Sequence, residues 1–472
     1  PERLNKPLIK TNGEFIETEW DEALEYVCSK LIRYKPGEVA VIASAKVTNE
    51  ENYLIQKLAR AVLGTNTVDH CARLCHSPTV AGLAAAFGSG AMSNSIGDMK
   101  ETACFFIIGA NTSETHPVIG FEIKQAIKNG ARLIIANPMK IPLVRHADIF
   151  LQPTPGTDVL LLSAICKIIL DEELYDTAFI TERTENFEAF TESLRNFNLE
   201  HAAAVTGVPL ENIKAAARLY ATSKPASILY AMGITQHSHG TDNVSAVANL
   251  ALLTGNLGKP GAGVNPLRGH NNVQGACDMG ALPDVFPGYQ KVADESVRAR
   301  FETAWGVKLP DEPGLTLPEI IDAIEQGKIK ALYMVGENIT LSDADSNRIR
   351  KALSKLKLLV VQDIFRTETA ELAHVILASS SFAEKDGTFT NTERRVQRVR
   401  CTVVPVGDSR PDWWITTELG KRLGGKGFSY TSPDQIFEEI RTVTPSYAGM
   451  TYSRLENGGL QWPCPTIDHS GT

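Results

Sequence analysis

The sequence predicts an α/β fold of doubly wound parallel sheets. Short apolar runs recur along the chain without the polar alternation of a half-exposed sheet, which marks strands covered on both faces. Each run is followed by a loop of Gly, Asn or Pro and then a helical pattern, the order of a βα repeat. Two run ends, Ile107-Ile108-Gly109-Ala110-Asn111 and Met334-Val335-Gly336-Glu337-Asn338, share one pattern: apolar strand, Gly, any residue, Asn. They read either as two related nucleotide-binding sheets or as two ordinary βα turns. Glycine lets the backbone approach a ligand closely, and Asn at a strand's carboxyl end offers a donor and an acceptor.

Taken in order, strands are expected at Val39–Ser44, Cys104–Gly109, Arg132–Asn137, Ser227–Met232, Ala331–Gly336 and Leu358–Asp363. After the first, Glu51–Leu63 has the pattern of a helix. Asn49 can cap it, Glu50 and Glu51 suit its positive N-terminus, and Gly64 ends it. Asp242–Leu253 is a second clear helix, closing at Gly255. From about Ser381 the texture changes: 382–400 is rich in Thr and Arg and alternates over Arg395–Arg400, as a small antiparallel unit would. Asp412–Leu423 then reads as a helix stopped by Gly424 and Gly425.

The 472 residues allow roughly two to four domains. A hydrophobic fraction of 43% with 22% charged residues is that of a globular protein, and no run has the length of a membrane span, so no membrane contact is expected. A net charge of −8 without basic, aromatic-interleaved stretches excludes nucleic acid as a partner. The eight cysteines are dispersed, and Cys104 and Cys166 lie in apolar runs, which is no disulfide framework; reducing, cytoplasmic surroundings are expected. The chain starts at Pro1 rather than Met. It is expected to be a piece of a longer protein, with an export signal upstream left open.

Several motifs fall short. Gly420–Lys426 nearly spells a P-loop, but Gly427 stands where Ser or Thr is required and a helix precedes it; a helix C-cap explains it. Gly261-Ala262-Gly263 lacks the third glycine of a dinucleotide fingerprint. Cys71 and Cys75 lack the partners that a cluster or zinc site needs. From the residues alone, Cys75 reads as a buried structural thiol or as a nucleophile beside His76. His146, His201 and His374 have no motif around them and are read as structural.

Cys75-His76 nevertheless stands in the stretch 72–82, followed by Gly88–Ile96 and, far downstream, by Arg268-Gly269-His270-Asn271-Asn272-Val273-Gln274-Gly275. These long segments, and their spacing, resemble the catalytic subunit of molybdenum- or tungsten-dependent formate dehydrogenases, and the resemblance runs along the whole chain. It implies two α/β domains, one inserted in the other: 71–270 carrying the metal ligand, within 1–70, 271–382 and 412–433. Residues 383–411 and 434–472 would be a remnant of a small β-containing domain. It implies a metal held by Cys75 and by two pterin guanine dinucleotides. Formate would be held by Arg268, and a proton taken by His76, whose pKa is expected near neutral, or the site tuned by its charge. His270 would line the formate channel.

The same resemblance implies dinucleotide contacts from Ser44, Asn49, Gly109, Asn111, Glu114, His116, Asn137, Pro138, Gly156, Thr157, Asp158, Met232, Gly233 and Gln236. Gly336, Glu337, Asn338, Gln362, Asp363 and Lys385 complete them. Glu114 and Asp158 would accept from guanine N–H groups or ribose hydroxyls. Gly109, Gly156 and Gly336 would let amides reach phosphates, and Lys385 would pair with a phosphate or pterin. The family's four-cysteine module precedes the matched region, so a 4Fe–4S cluster is expected only there, and a C-terminal cap would follow. The implied reaction is formate to carbon dioxide, with iron–sulfur or flavin electron-transfer subunits as partners. The alternatives are another bis-pterin enzyme such as a nitrate reductase, which lacks the Cys-His pair and the 268–275 segment, or an inactive apo scaffold.

Overall fold

The computed structural model describes residues 2–472. The chain divides into two compact units, one made of Pro1–Arg73 with His270–Thr472, the other of Leu74–Gly269. Residues 383–472, which the sequence sets partly apart, are grouped with the first unit.

The contiguous unit is built on five parallel strands in the order Ile149–Leu151, Arg132–Ala136, Cys104–Ile108, Ala226–Tyr230 and Gly263–Pro266. Alternate side chains show why the runs are continuously apolar. Phe106, Ile108, Ile134 and Ile228 enter one buried cluster, whereas Phe105, Ile107, Leu133, Ile135 and Leu229 enter another. Both faces are buried, so the strands are mostly apolar, and the buried polar pair Ser227 and Asn265 is satisfied internally, Asn265 Nδ2 donating to Ser227 Oγ at 2.7 Å.

The discontinuous unit carries a seven-stranded sheet in the order Glu14–Glu17, Leu8–Thr11, Val375–Ala378, Leu358–Asp363, Ala331–Val335, Val39–Ile42, Val68–Asp69. Its last five strands are parallel, and the first two form an antiparallel hairpin on the edge. The parallel parts of the two sheets share one spatial order. Numbering outward from Cys104–Ile108 and from Ala331–Val335, both run 3-2-1-4-5; in the discontinuous unit strands 4 and 5 precede strand 1 in the chain. In such sheets ligands sit where the order reverses, beside strand 1.

A three-stranded antiparallel sheet, Gly387–Thr390, Arg395–Val399 and Leu460–Gln461, also belongs to the discontinuous unit. The helix after Val39–Ile42 differs from expectation at its start. It spans Asn49–Lys57, continuing as one π-turn over Leu58–Val62, and its cap is Thr48, not Asn49. Thr48 accepts from the Glu51 amide while the Glu51 carboxylate accepts from the Thr48 amide. This reciprocal box leaves Asn49 inside the helix, where its Nδ2 donates to Thr388 and Thr390.

Candidate active site and cofactor cavities

Cys75, His76 and Arg268 all belong to the contiguous unit and converge on one segment, Leu267–Gly269, which follows the strand Gly263–Pro266. Cys75 ends a short helix, with 8% exposure. Its carbonyl accepts from Thr235 Oγ1 at 2.6 Å, which fixes its backbone. Burial pushes the Cys75 thiol up; the Arg268 guanidinium and a hydrogen bond from the Gly269 amide oppose this and favour thiolate. Arg268, 4% exposed, donates through Nη2 to the Gly90 carbonyl at 2.9 Å. Gly90 must lack a side chain, because a Cβ would lie 2.6 Å from Val80 Cα.

His76 requires a correction. It is fully buried, with Nε2 3.0 Å from the Leu267 carbonyl and Nδ1 3.0 Å from Thr79 Oγ1. A carbonyl only accepts, so Nε2 carries the proton and Nδ1 accepts from Thr79, whose oxygen accepts in turn from Tyr230. Burial first, then the nearby Arg268 cation, pushes its pKa down to about 3, against the Leu267 bond. The near-neutral proton acceptor expected from sequence is instead a neutral ring committed on both nitrogens.

Beside strand 1 of the same unit lies a cavity of about 390 Å³. Of the residues expected to bind cofactor, Gly109, Asn111, Glu114, Asn137, Pro138, Asp158 and Gly233 line it. Gly233 donates its amide to the Gly109 carbonyl at 3.1 Å, and a Cβ on Gly233 would sit 2.6 Å from that oxygen. Two strand ends thus touch through bare backbone. The buried Asn111 Oδ1 has no hydrogen-bond partner, an acceptor left for a ligand. Asp158 is pushed up by burial, with His237 opposing; His237 Nε2 lies 3.9 Å from its carboxylate and 2.9 Å from the Gly233 carbonyl.

The discontinuous unit has a cavity of about 370 Å³ at the corresponding strand ends. Gly336, Asn338, Gln362, Asp363 and Lys385 line it, as expected. Gly336 and Gly109 both have φ +60°, so the two look-alike turns share one backbone conformation. Their amides, however, are taken by the neighbouring strand: Gly109 N–H donates to Ala136 O and Gly336 N–H to Gln362 O. The expectation that these two amides reach phosphates is corrected accordingly; the glycines supply the turn. Lys385 is buried and paired with Glu51 and Asp412, so its charge is neutralised within the protein rather than left for a phosphate. Asp363 accepts from the Ile364 and Phe365 amides, and burial pushes it up to about 6.

The remaining expected cofactor residues lie elsewhere. Ser44 donates to the Gly336 carbonyl and the Glu337 carboxylate, which also pairs with Lys46. Asn49 is enclosed under Thr388 and Thr390. His116 Nε2 reaches the Arg268 carbonyl at 2.8 Å, and Gln236 Nε2 donates to Leu74 O. Thr157 folds back on Thr154, Gly156 has φ +85° in the same loop, and Met232 is 42% exposed. His270 contacts Cys71 at 3.6 Å in the discontinuous unit.

Sequence reasoning missed His237 in one cavity and Ser380, Phe382 and Asp412 in the other. Ser380 Oγ is buried without a hydrogen-bond partner. Its signal was positional, since it follows the end of a parallel strand.

Among the described residues no group of three or more His, Cys, Asp or Glu side chains could hold a metal ion. A metal here would take one protein thiolate, with its other ligands brought by a cofactor. Both cavities fall in the range of small-molecule sites, about 300–1,000 Å³, and each is lined by a residue with a buried polar atom lacking a hydrogen-bond partner, Asn111 Oδ1 or Ser380 Oγ. The residues present therefore fit a polar, nucleotide-sized group in each unit. All eight cysteines are free, and among the described residues no helix is long and apolar enough to cross a membrane.

The sequence pattern of the molybdopterin oxidoreductase family matches residues 3–422. The chain is 52% identical, over its whole length, to the F420-dependent formate dehydrogenase subunit alpha of Methanocaldococcus jannaschii, spanning 70% of that protein. It is 48% identical, with the same coverage, to the F420-dependent formate dehydrogenase 1 subunit alpha of Methanococcus maripaludis. A putative formate dehydrogenase of Bacillus subtilis is 45% identical over 96% of the chain, which spans 47% of that relative. Among solved structures, acetylene hydratase from Pelobacter acetylenicus superposes with a TM-score of 0.78 at 23% identity, over 98% of this chain and 66% of the other, which shows the fold.

Proposed function

Because the chain belongs to the molybdopterin oxidoreductase family, we propose that it carries the catalytic centre of a formate dehydrogenase, converting formate to carbon dioxide, two electrons and one proton. The observation that carries this reading is the convergence of Cys75, His76 and Arg268 on one segment, although His76 and Leu267 stand 191 positions apart in sequence. Relatives named formate dehydrogenase alpha subunits, near 50% identity along the whole chain, support the substrate.

The family's molybdenum or tungsten pterin, when bound, supplies the two-electron acceptor. Cys75 is the residue to ligate its metal. The two cavities would take a guanine dinucleotide each: Glu114, Asp158 and Asn111 accept donors in one, and Asp363, Asn338 and Ser380 line the other. Arg268 binds the formate carboxylate through charge-assisted hydrogen bonds and so fixes which way the C–H points. Its cation and the Gly269 amide oppose the upward push that burial gives the Cys75 thiol. His76, neutral and with its N–H given to Leu267, braces the segment; the released proton leaves by another acceptor.

Electrons would pass to a separate subunit or module carrying iron–sulfur or flavin groups, in keeping with relatives named as alpha subunits. The cytoplasm is the compartment we assign, supported by eight cysteines with no disulfide among them.

The test is metal and pterin analysis of the full-length protein with formate-dependent viologen reduction. Molybdenum or tungsten with pterin, and activity abolished in Cys75→Ala, are expected. Zinc alone, or turnover of nitrate in place of formate, overturns the reading.

A further inference from the structure

We propose that His116 is a positioning residue for the carboxylate-binding arginine rather than a cofactor ligand. The inference rests on the reading of Arg268 given above and adds what holds that arginine in place.

Every backbone polar group of Leu267 and the carbonyl of Arg268 are tied to other elements of the contiguous unit. The Leu267 amide donates to Tyr230 O at 2.8 Å, and its carbonyl accepts from His76 Nε2 at 3.0 Å. The next carbonyl, that of Arg268, accepts from His116 Nε2 at 2.8 Å. Two imidazole N–H groups, from distant positions in sequence, thus grip two successive carbonyls. At the far end of the same residue the guanidinium donates to Gly90 O. That carbonyl sits in a loop pinned to the adjacent strand, where Ser93 N–H donates to Val264 O at 3.1 Å and Val264 N–H to Ser93 Oγ at 2.9 Å.

The geometry of His116 suits this task. It joins the short helix Thr112–Thr115 to the helix Pro117–Lys128, so its ring is carried on rigid backbone. The Arg268 carbonyl can only accept, which places the proton on Nε2; Thr115 Oγ1 lies 2.8 Å from Nδ1 and 3.0 Å from the Asn111 carbonyl, and its single proton can go to only one of them. The neighbouring strand-end residues Gly109, Asn111 and Glu114 line the cavity, whereas His116 does not. Without its N–H the root of the arginine side chain loses an anchor. The guanidinium then samples positions that no longer match a carboxylate.

The test uses the full-length, metal-loaded enzyme. His116→Leu removes the donor; His116→Gln keeps an N–H near the Nε2 position. The Leu variant should raise the formate KM about tenfold and change kcat by about threefold or less, as expected for one lost positioning hydrogen bond. Inhibition by acetate, a carboxylate that does not react, should weaken in parallel, and the Gln variant should recover most of both losses. Metal and pterin content should stay at the parent level. If the Leu variant does not fold, His116→Phe keeps the ring volume without the donor and carries the same expectations. Loss of pterin from a folded variant would make His116 a cofactor ligand and overturn the proposal, as would unchanged formate KM and acetate inhibition. Arg268→Lys separates the two readings. A raised KM there with none in the His116 variants sinks the positioning role alone, whereas an unchanged KM there removes Arg268 and the clamp together.

Discussion

A guanidinium cannot shed its proton near neutral pH, so an arginine buried like Arg268 needs carbonyls or an anion around it. Gly90 O supplies one partner, and on the proposed reading a formate carboxylate would supply the charge. Lysine offers a point charge without the planar fork. Arg268→Lys should therefore lower kcat/KM for formate by about 10- to 100-fold, the worth of one charged hydrogen-bond pair, measured by steady-state viologen reduction. At this scale the sequence pointed to Cys75 and Arg268, which the structure sets close enough for the guanidinium to act on the thiol. It was least legible where the fold turns a side chain inward. His116 sits in a motif that resembles a cofactor contact yet aims at a backbone carbonyl, and Lys385 lies in an apparently exposed loop yet is enclosed by Glu51 and Asp412. His237 carried no signal, because only the contact between two strand ends brings it to the cavity.

At the scale of elements, the six expected strands end within two residues of those observed, because a run buried on both faces is mostly apolar; Val68–Asp69, Ile149–Leu151, Gly263–Pro266 and Val375–Ala378 were not anticipated. The helix start was misread by two positions, Glu51 for Asn49, and its cap by one, Asn49 for Thr48. Asn is a good cap by type, but the pair Thr48 and Glu51, three apart, makes the reciprocal box that decides the boundary. Two consequences are measurable. A methyl group on Gly233 has only the Gly109 backbone to displace, 2.6–2.9 Å away. Gly233→Ala should cost about 1–3 kcal/mol, seen as a lower melting temperature and reduced pterin content.

Glu50, in the first turn of that helix, is fully buried; burial raises its carboxyl from 4.5 to about 7, with backbone amides, Tyr452 and Thr388 opposing. The folded state therefore holds a proton that the unfolded state releases above pH 4.5. Its contribution is complete below that pH and is lost as pH rises through about 7. Glu50→Gln should flatten this part of the stability profile, a difference on the order of 3 kcal/mol between pH 4.5 and pH 8, checked by chemical denaturation across that range.

For the whole molecule, the division into a contiguous and a discontinuous unit was carried by the resemblance to a known family; composition and periodicity gave only the βα repeat. The reason is physical: spacing in a chain says nothing about which distant strands pair. Leu74–Gly269 has its five strands and both apolar clusters in one stretch. Ribosome-arrested chains ending at Trp305 should already protect this stretch from protease; uniform digestion would show that it needs the later residues.

The other unit has a different history during synthesis. Val39 pairs with Ala331, 292 positions later (331 − 39). At roughly 5–20 residues per second, the strand Val39–Ile42 keeps a naked apolar edge for tens of seconds while the intervening stretch is made. Such an edge recruits other nascent chains as readily as its own partner. Holdase chaperones acting on this polypeptide should therefore concentrate on Val39–Asp69 and let go once Ala331–Val335 has been translated.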